Sequence, residues 1–296
     1  MTLSRITAAR RPATDPKRIR QAIRKLADLP SSLPAIQRAI AATEKPESTN
    51  EEIHQVLAVD PALTARILRV ANSPYFGVMG QVRTVSMAVA LMGRDRLRAL
   101  LRHVQVAELY RCLSGRGPAT ERLWEKAVAA AAATGQLAQG RYSGDLEEAS
   151  IAAFFHNIGE LVLCLEFREE YESALRRAES MPRRQALAGV FGVDFSVVGG
   201  WLLETWNFPA LLVRAVESWE DPLRPSFEAA LRERLCLVQA GVRVAEAWSR
   251  QLGPQAATAG MLTEVLKTLR LDPPAVEAVY QDLPRHIARY RELWRG

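Results

Sequence analysis

The sequence has few of the side chains that build metal centres or disulfide frameworks. Only 3 cysteines and 4 histidines occur in 296 residues, and no two cysteines have the CxxC spacing. Structural zinc sites and disulfide-stapled folds both need several such residues at close spacing, so neither is expected. We predict instead that Cys112, Cys164 and Cys236 are reduced, buried thiols of a cytoplasmic protein.

Long hydrophobic runs are missing as well. The Ala-rich run from Ala127 to Ala133 is short and flanked by charge, whereas a membrane-spanning helix needs roughly 20 consecutive apolar residues. The N-terminus lacks the apolar block of a secretory signal. With 48% hydrophobic and 24% charged residues, the composition is that of an ordinary globular chain, and we expect no transmembrane segment.

Positive charge is concentrated at the N-terminus. Residues 1–25 contain eight basic residues and one acidic residue, whereas the rest of the chain has 31 basic and 32 acidic residues. This distribution predicts a basic N-terminal tail over residues 1–25, and such tails can bind nucleic acid or an anionic membrane. Asp15 and Pro16 nevertheless predict a helix start within this segment, because a capping carboxylate precedes a proline at the first helical position.

The remaining chain is divided by proline and glycine into segments of helical length, and none alternates between apolar and polar residues. That pattern predicts an all-α protein. Asp60 and Pro61 again predict a helix start, and Ser48 with Glu51 has the spacing of a capping box. Longer helices are predicted over residues 94–113, 120–139, 145–167, 227–248 and 274–294.

Residues 145–167 are apolar around most of the helix circumference, which predicts a buried central helix. His156 and Asn157 interrupt this helix with a polar pair that must find partners or lose its hydration energy. The pair has two interpretations, a core histidine with satisfied hydrogen bonds or a metal ligand. His54, His103 and His286 lie among charged residues, so we predict that they are solvated surface side chains.

The chain resembles the HDOD domains, the HD-related output domains of bacterial signalling proteins. The match runs over roughly residues 29–220, and its most specific block extends from Asp60 to Gly77. The residues that carry the family pattern are Asp60, Pro61, Asn72, Ser73, Phe76, Gly77 and, further along the chain, Gly159. The resemblance implies a multi-helix, HD-domain-like bundle of two packed helical subdomains. It places an HDOD domain over residues 26–225, with C-terminal helices over 226–296 that pack on it or complete it.

The resemblance also identifies the positions of a metal site. In the HD hydrolases, histidines and aspartates on neighbouring helices hold metal ions that activate water. In this chain the His-Asp doublet is replaced by His156 and Asn157, the upstream histidine by Lys126, and the last aspartate aligns with Gly241. An amide is a weak ligand, and an ammonium repels a divalent cation. The resemblance therefore implies a vestigial HD site with no catalytic residue, no metal and no cofactor.

Three functions remain open at this point. The leading hypothesis is a non-catalytic regulatory module of signal transduction that acts by binding unidentified signalling proteins. The first alternative is a divergent metal-dependent nucleotide phosphohydrolase or phosphodiesterase, with His156 as a remaining ligand. The second alternative is binding of nucleic acid or anionic lipid through the basic tail. A small molecule or nucleotide in the vestigial pocket, with Lys126 against a phosphate, is compatible with the leading hypothesis.

Overall fold

All of the regular secondary structure in the described residues is helical. The computed structural model describes residues 14–26, 32–58, 61–72, 82–113, 117–139, 146–206 and 208–294, and these ranges contain no strand. The predicted all-α class is therefore confirmed. The helices are α1 (Pro16–Lys25), α2 (Ser32–Glu44), α3 (Asn50–Ala58), α4 (Pro61–Ala71), α5 (Val85–Leu113), α6 (Pro118–Ala138), α7 (Leu146–Phe155), α8 (Ile158–Glu166), α9 (Arg168–Arg177), α10 (Arg183–Phe191), α11 (Phe195–Thr205), α12 (Ala210–Ser218), α13 (Ala229–Ser249), α14 (Pro254–Ala259), α15 (Thr263–Leu269) and α16 (Pro273–Trp294).

The first helix begins where its capping signal predicts. The carboxylate of Asp15 accepts a hydrogen bond from the backbone nitrogen of Lys17 at 2.9 Å, and Pro16 occupies the first helical position. α1 is not part of a free tail, because Ile19 and Ile23 are buried against α11 and α8. The tail prediction is therefore wrong for residues 14–25, since the apolar residues of this segment recur at helical spacing and form a packing face. Residues 1–13 lie outside the described ranges.

Basic side chains of α1 also contact the body of the protein. The guanidinium of Arg20 lies 3.9 Å from the ring centroid of Trp201 on α11. Arg18 lies 3.8 Å from a carboxylate oxygen of Glu170 on α9. Two of the eight basic residues of segment 1–25 therefore contact other helices of the fold.

α2 to α5 pack together as one unit, which we call the N-terminal bundle. α2 packs on α3 and α5, and α4 packs on α3 and α5. α5 bends at Gly93, whose φ of 78° lies in the left-handed region that favours glycine. The predicted helix over 94–113 is the part of α5 that follows this bend.

Asn72 ties together the two ends of the chain segment that follows α4. Its side-chain nitrogen donates to the carbonyl oxygens of Leu68 and Val82, both at 2.8 Å. Its side-chain oxygen accepts a hydrogen bond from the nitrogen of Val82 at 2.9 Å. α4 begins at Pro61 as predicted. The other residues of the family pattern in this region, Asp60, Ser73, Phe76 and Gly77, lie outside the described residues.

A capping box precedes α3, one residue later than predicted. The nitrogen of Glu52 donates to Oγ1 of Thr49 at 3.1 Å, and the nitrogen of Thr49 donates to Oε2 of Glu52 at 2.9 Å. Ser48 and Glu51 have the same spacing but do not form this pair. The prediction identified the motif and assigned it to the wrong two residues.

α6 is the centre of a second unit, the central bundle, which comprises α6–α8 and α11–α13. α13 packs along α6, and α7 and α16 pack on other faces of the same helix. The alanines from Ala129 to Ala133 are fully buried in these contacts. Their small side chains allow the helices to approach closely, which gives this Ala-rich sequence its role in packing.

The predicted central helix over 145–167 is two helices, α7 and α8, which are separated at His156 and Asn157. The break allows α7 to pack on α6 and α13 while α8 packs on α11. Gly159 lies at the crossing with α11, where a Cβ atom would overlap the carbonyl of Phe195 and the nitrogen of Gly199. A glycine is therefore required there by the close approach of two helix backbones.

One described stretch, Glu148–Glu166, is long and apolar enough to cross a membrane by composition, and the bent pair α10 and α11 passes the same test together. Of the first stretch, 83% is buried inside the fold. Its apolar surface is therefore covered by neighbouring helices, as in the core of a bundle.

Candidate functional site

His156 lies at the end of α7 and is 6% exposed. Its Nδ1 lies 2.6 Å from the carbonyl oxygen of Ala153, and because a carbonyl only accepts, Nδ1 carries the proton and Nε2 the lone pair. The ring packs edge-on against Trp219, with 5.4 Å between ring centroids. Burial lowers the pKa of His156 to about 4, so the imidazole is neutral at physiological pH.

Asn157 occupies the break between α7 and α8 and is 2% exposed. Its Nδ2 donates a hydrogen bond to the carbonyl oxygen of Leu123 on α6, at 2.8 Å. A carboxylate cannot make this bond, because it has no proton to donate when it is ionised. The contact of Asn157 therefore favours a role in the polar core over a role as a metal ligand, whereas the bond of His156 through Nδ1 is compatible with either interpretation.

Lys126 lies half-buried on α6, near His156 and Glu160. Burial lowers the pKa of Lys126 below its usual range, and the carboxylate of Glu160 opposes this shift. The positive charge of Lys126 in turn contributes to the lowered pKa of His156. The vestigial site thus contains an ammonium where a cation would have to bind.

Glu160 anchors a hydrogen-bonded cluster on the other side of the break. Glu160 is 4% exposed. Its carboxylate accepts a hydrogen bond from the hydroxyl of Tyr171 at 2.9 Å and another from Nε of Arg183 at 2.6 Å. Nη2 of Arg183 also donates to the hydroxyl oxygen of Tyr171 at 2.7 Å. Burial and the charge of Glu160 raise the pKa of Tyr171 far above its usual range. Oε1 of Glu160 is therefore held by Tyr171 and Arg183 inside the protein.

Tyr171 and Arg183 were not identified from the sequence. They lie 11 and 23 residues after Glu160 and belong to α9 and α10. No local spacing connects them, so only the packing of three helices brings them together.

Trp219, whose ring packs against His156, is 1% exposed. The guanidinium of Arg243 on α13 lies 5.8 Å from the centroid of its ring. Arg243 is held by ion pairs to Glu220 and Glu246, both at 2.8 Å. The surroundings of His156 are thus an aromatic ring and paired charges.

Gly241 lies elsewhere on α13 and does not join this group. A Cβ atom at this position would lie 2.8 Å from the Cα of Thr134 and closer still to its hydroxyl. Thr134 follows Lys126 by eight residues, which corresponds to about 12 Å along the axis of α6. The structure therefore brings together Lys126, His156 and Asn157, with Gly241 at a separate helix crossing.

His286 lies partly buried on α16. The side chains of His54 and His103 lie outside the described part of the chain.

The residues at the vestigial site do not fit a divalent metal. Within the described ranges, no group of three or more His, Cys, Asp or Glu side chains is arranged to hold a metal ion. The donor groups nearest to the expected position are Nε2 of His156, which keeps its lone pair, and the carboxylate of Glu160, whose Oε1 is already bound by Tyr171 and Arg183. Lys126 adds a positive charge in the same region, which disfavours a cation.

Comparison with known proteins identifies relatives of this chain by sequence and by fold. Residues 29–222 match the HDOD domain family. An HDOD domain protein with unknown function from Geobacter sulfurreducens has a TM-score of 0.71 at 18% identity, covering 94% of this chain and 99% of that one. A proposed phosphohydrolase from Shewanella amazonensis has a TM-score of 0.70 at 22% identity, covering 93% and 97%. At these low identities, the two TM-scores establish a shared fold.

Two further relatives are longer than this chain. A proposed signal transduction protein from Marinobacter aquaeolei has a TM-score of 0.65 at 19% identity, covering 93% of this chain and 64% of that one. An uncharacterised protein of Treponema pallidum is 27% identical over 195 residues, which is 64% of this chain and 36% of that protein. The chain therefore spans about a third of the length of this curated relative.

Proposed function

Because this chain belongs to the HDOD domain family, we propose that it is a cytoplasmic, non-catalytic regulatory module of signal transduction that acts by binding other proteins. One observation carries the proposal. The amide of Asn157 stands where an HD hydrolase has a metal-binding aspartate, and it donates its proton to the carbonyl of Leu123. The position therefore supports a packing role in place of a ligand role.

The electrostatics of the site support the same function. Lys126 and Arg183 bring two positive charges to the region that contains the single buried carboxylate of Glu160. A hydrolytic metal site needs an excess of negative or neutral donors around the cation. The relatives include both a proposed signal transduction protein and a proposed phosphohydrolase, and these charges favour the first.

Two exposed apolar side chains lie next to each other on the N-terminal bundle. Met87 and Leu91 lie one turn apart on α5, so they share one face of the helix, and they are 37% and 49% exposed. Large apolar side chains that are adjacent and exposed mark protein interaction sites more often than isolated ones do. We assign the docking of a signalling partner to this face.

The non-catalytic part of the proposal is tested by metal analysis and a hydrolysis assay. The protein is purified untagged and without chelators, alongside His156→Ala, and Mn, Fe and Zn are measured by mass spectrometry. We expect less than about a tenth of an equivalent of metal in both proteins and no hydrolysis of nucleotide phosphodiesters. Near-stoichiometric metal that is lost in His156→Ala would support the alternative, a metal-dependent phosphohydrolase.

The partner-binding part is tested by crosslinking in the native host followed by mass spectrometry. The double variant Met87→Gln/Leu91→Gln should lose specific crosslinked partners that the unmodified protein retains. Met181→Gln is the matched control, because Met181 is 43% exposed on a different part of the surface. If all three proteins recover the same partners, docking through α5 is contradicted. If none recovers a partner and hydrolysis is detected, the proposed function is contradicted.

A further inference from the structure

A cavity of about 240 Å³ lies between the N-terminal bundle and the central bundle. α2 and α5 line one side, and α7 with the start of α12 lines the other. Its apolar wall is formed by Ile40, Ile151, Phe208 and Leu212. Binding pockets occur preferentially at such junctions between packed units.

One polar side chain faces this cavity without a partner. Gln105 on α5 lines it and is 5% exposed, yet it forms no hydrogen bond with any residue in the described ranges. Gln37, which also lines the cavity, is different, because its Nε2 donates to the carbonyl of Trp206 at 2.9 Å. The amide atoms of Gln105 are not among the fully buried polar atoms that lack a partner, so they face the cavity, where water can bond to them. A ligand that offers a matching donor and acceptor would take the place of that water.

The charged end of the cavity is already balanced. Arg102 lies one turn before Gln105 and forms ion pairs with Glu44 at 3.4 Å and with Glu148 at 3.1 Å. Glu148 is also paired with Arg234 at 2.9 Å. Two arginines and two glutamates therefore neutralise one another at this end, and a ligand needs no net charge.

We propose that this cavity binds a small, neutral heteroaromatic molecule of the nucleobase class, whose hydrogen-bonding edge pairs with the amide of Gln105. A glutamine amide presents one donor and one acceptor side by side, which matches the adjacent acceptor and donor on a base edge. The apolar wall suits the faces of a flat ring. The volume lies below the range of about 300–1,000 Å³ that is typical of larger ligands, so the ligand has one or two rings.

Binding here would join the two bundles, because the two sides of the cavity belong to different bundles. The ligand site is separate from Lys126 and His156, and it does not require that the protein act through a partner. Ligand binding and partner binding can therefore fail independently.

The proposal is tested by titrating the full chain, labelled at isoleucine methyl groups, with adenine, cytosine and uracil. Saturable shifts of the Ile40 and Ile151 methyl signals in nuclear magnetic resonance spectra are expected with at least one base. No saturable shift with any of the three bases would overturn the proposal, as would shifts that avoid these two methyl groups.

Two variants show whether Gln105 recognises the ligand. Gln105→Leu should weaken binding by at least about tenfold, because an apolar side chain cannot pair with the hydrogen-bonding edge of the base. Gln37→Leu is the control and should lower the melting temperature, since it removes an existing bond to Trp206. Unchanged binding in Gln105→Leu would overturn the pairing.

A third variant blocks the cavity from its rim. Ala41 lies on the exposed side of α2 and lines the cavity, so Ala41→Phe should abolish the methyl shifts while the protein remains folded. Binding that persists in folded Ala41→Phe would place the base elsewhere and contradict the proposal.

Discussion

The side-chain nitrogen of Asn157 and the carbonyl oxygen of Leu123 lie 2.8 Å apart, where the chain passes from α7 to α8. The bond connects a break between two core helices to the Ala-rich helix α6. It uses the one property of asparagine that aspartate lacks at neutral pH, a proton to donate.

Asn157→Asp should therefore destabilise the protein although it restores the His-Asp doublet. An ionised carboxylate against the carbonyl of Leu123 should cost about 3 kcal/mol of unfolding free energy at neutral pH. Burial raises the pKa of the new carboxyl in the folded state, so the cost should be full above that raised pKa and disappear below the unfolded value of about 4. Urea unfolding at several pH values measures this. Asn157→Ala, which loses the bond without adding charge, should be the more stable variant at neutral pH, and the opposite order would contradict the argument.

A methyl group at position 241 should force α13 away from α6. Gly241→Ala places a Cβ atom 2.8 Å from the Cα of Thr134. We expect the free energy of unfolding, measured with heat or urea, to fall by about 3 kcal/mol. Gly189→Ala on α10 is the matched control, because nothing lies within 4 Å of its added Cβ. The control should gain up to about 1 kcal/mol from helix propensity. Equal stabilities of the two variants would be inconsistent with the close crossing.

His156 should make the protein less stable in acid. Its pKa falls from 6.5 in the unfolded chain to about 4 in the fold, so the unfolded state binds more protons between these values. Unfolding free energy should fall by about 3 kcal/mol as the pH drops from about 6.5 to about 4. His156→Gln should remove this part of the pH dependence. Parallel stability curves for the two proteins would show that His156 does not titrate in this way.

The hydroxyl of Tyr171 should contribute to stability through the charged cluster. Tyr171→Phe removes the hydrogen bond to Glu160. We expect the free energy of unfolding to fall by about 2 kcal/mol, because hydrogen bonds to charged groups contribute more to stability than bonds between neutral groups. Tyr280→Phe is the control. Among the described residues, the hydroxyl of Tyr280 accepts a single hydrogen bond, from the backbone nitrogen of Gly253 at 3.2 Å. Thermal unfolding should show a clearly smaller loss for the control. A larger loss in Tyr280→Phe would assign the cluster a minor role.

Local signals predicted the helix starts well, with one instructive error. The cap at Asp15 depends on a backbone nitrogen two residues away, so the sequence contains the whole interaction. Ser48 with Glu51 and Thr49 with Glu52 have the same spacing in the same five residues. Spacing cannot choose between them, and the direction in which the chain enters α3 decides.

The candidate site was predicted less completely, because long-range contacts determine it. Residues 145–167 are apolar on nearly every face, so periodicity gives no sign of a break at His156 and Asn157. The break depends on a carbonyl 34 residues earlier, at Leu123. The partners of Glu160 likewise come from two later helices, and no pattern in the sequence connects them.

The packing of α1 and α13 means that the stretch shared by the family is smaller than the unit that folds. α1 ends at Lys25 and α13 begins at Ala229, so both lie outside the matched residues 29–222. Both nevertheless complete the core, α1 through Ile19 and Ile23 and α13 through its contact with the buried alanines of α6. A fragment cut at the boundaries of the resemblance should expose these apolar surfaces and aggregate, whereas residues 14–294 should remain monodisperse in light scattering. If the fragment aggregates and residues 14–294 do not, the unit that folds extends beyond both ends of the segment that matches the family.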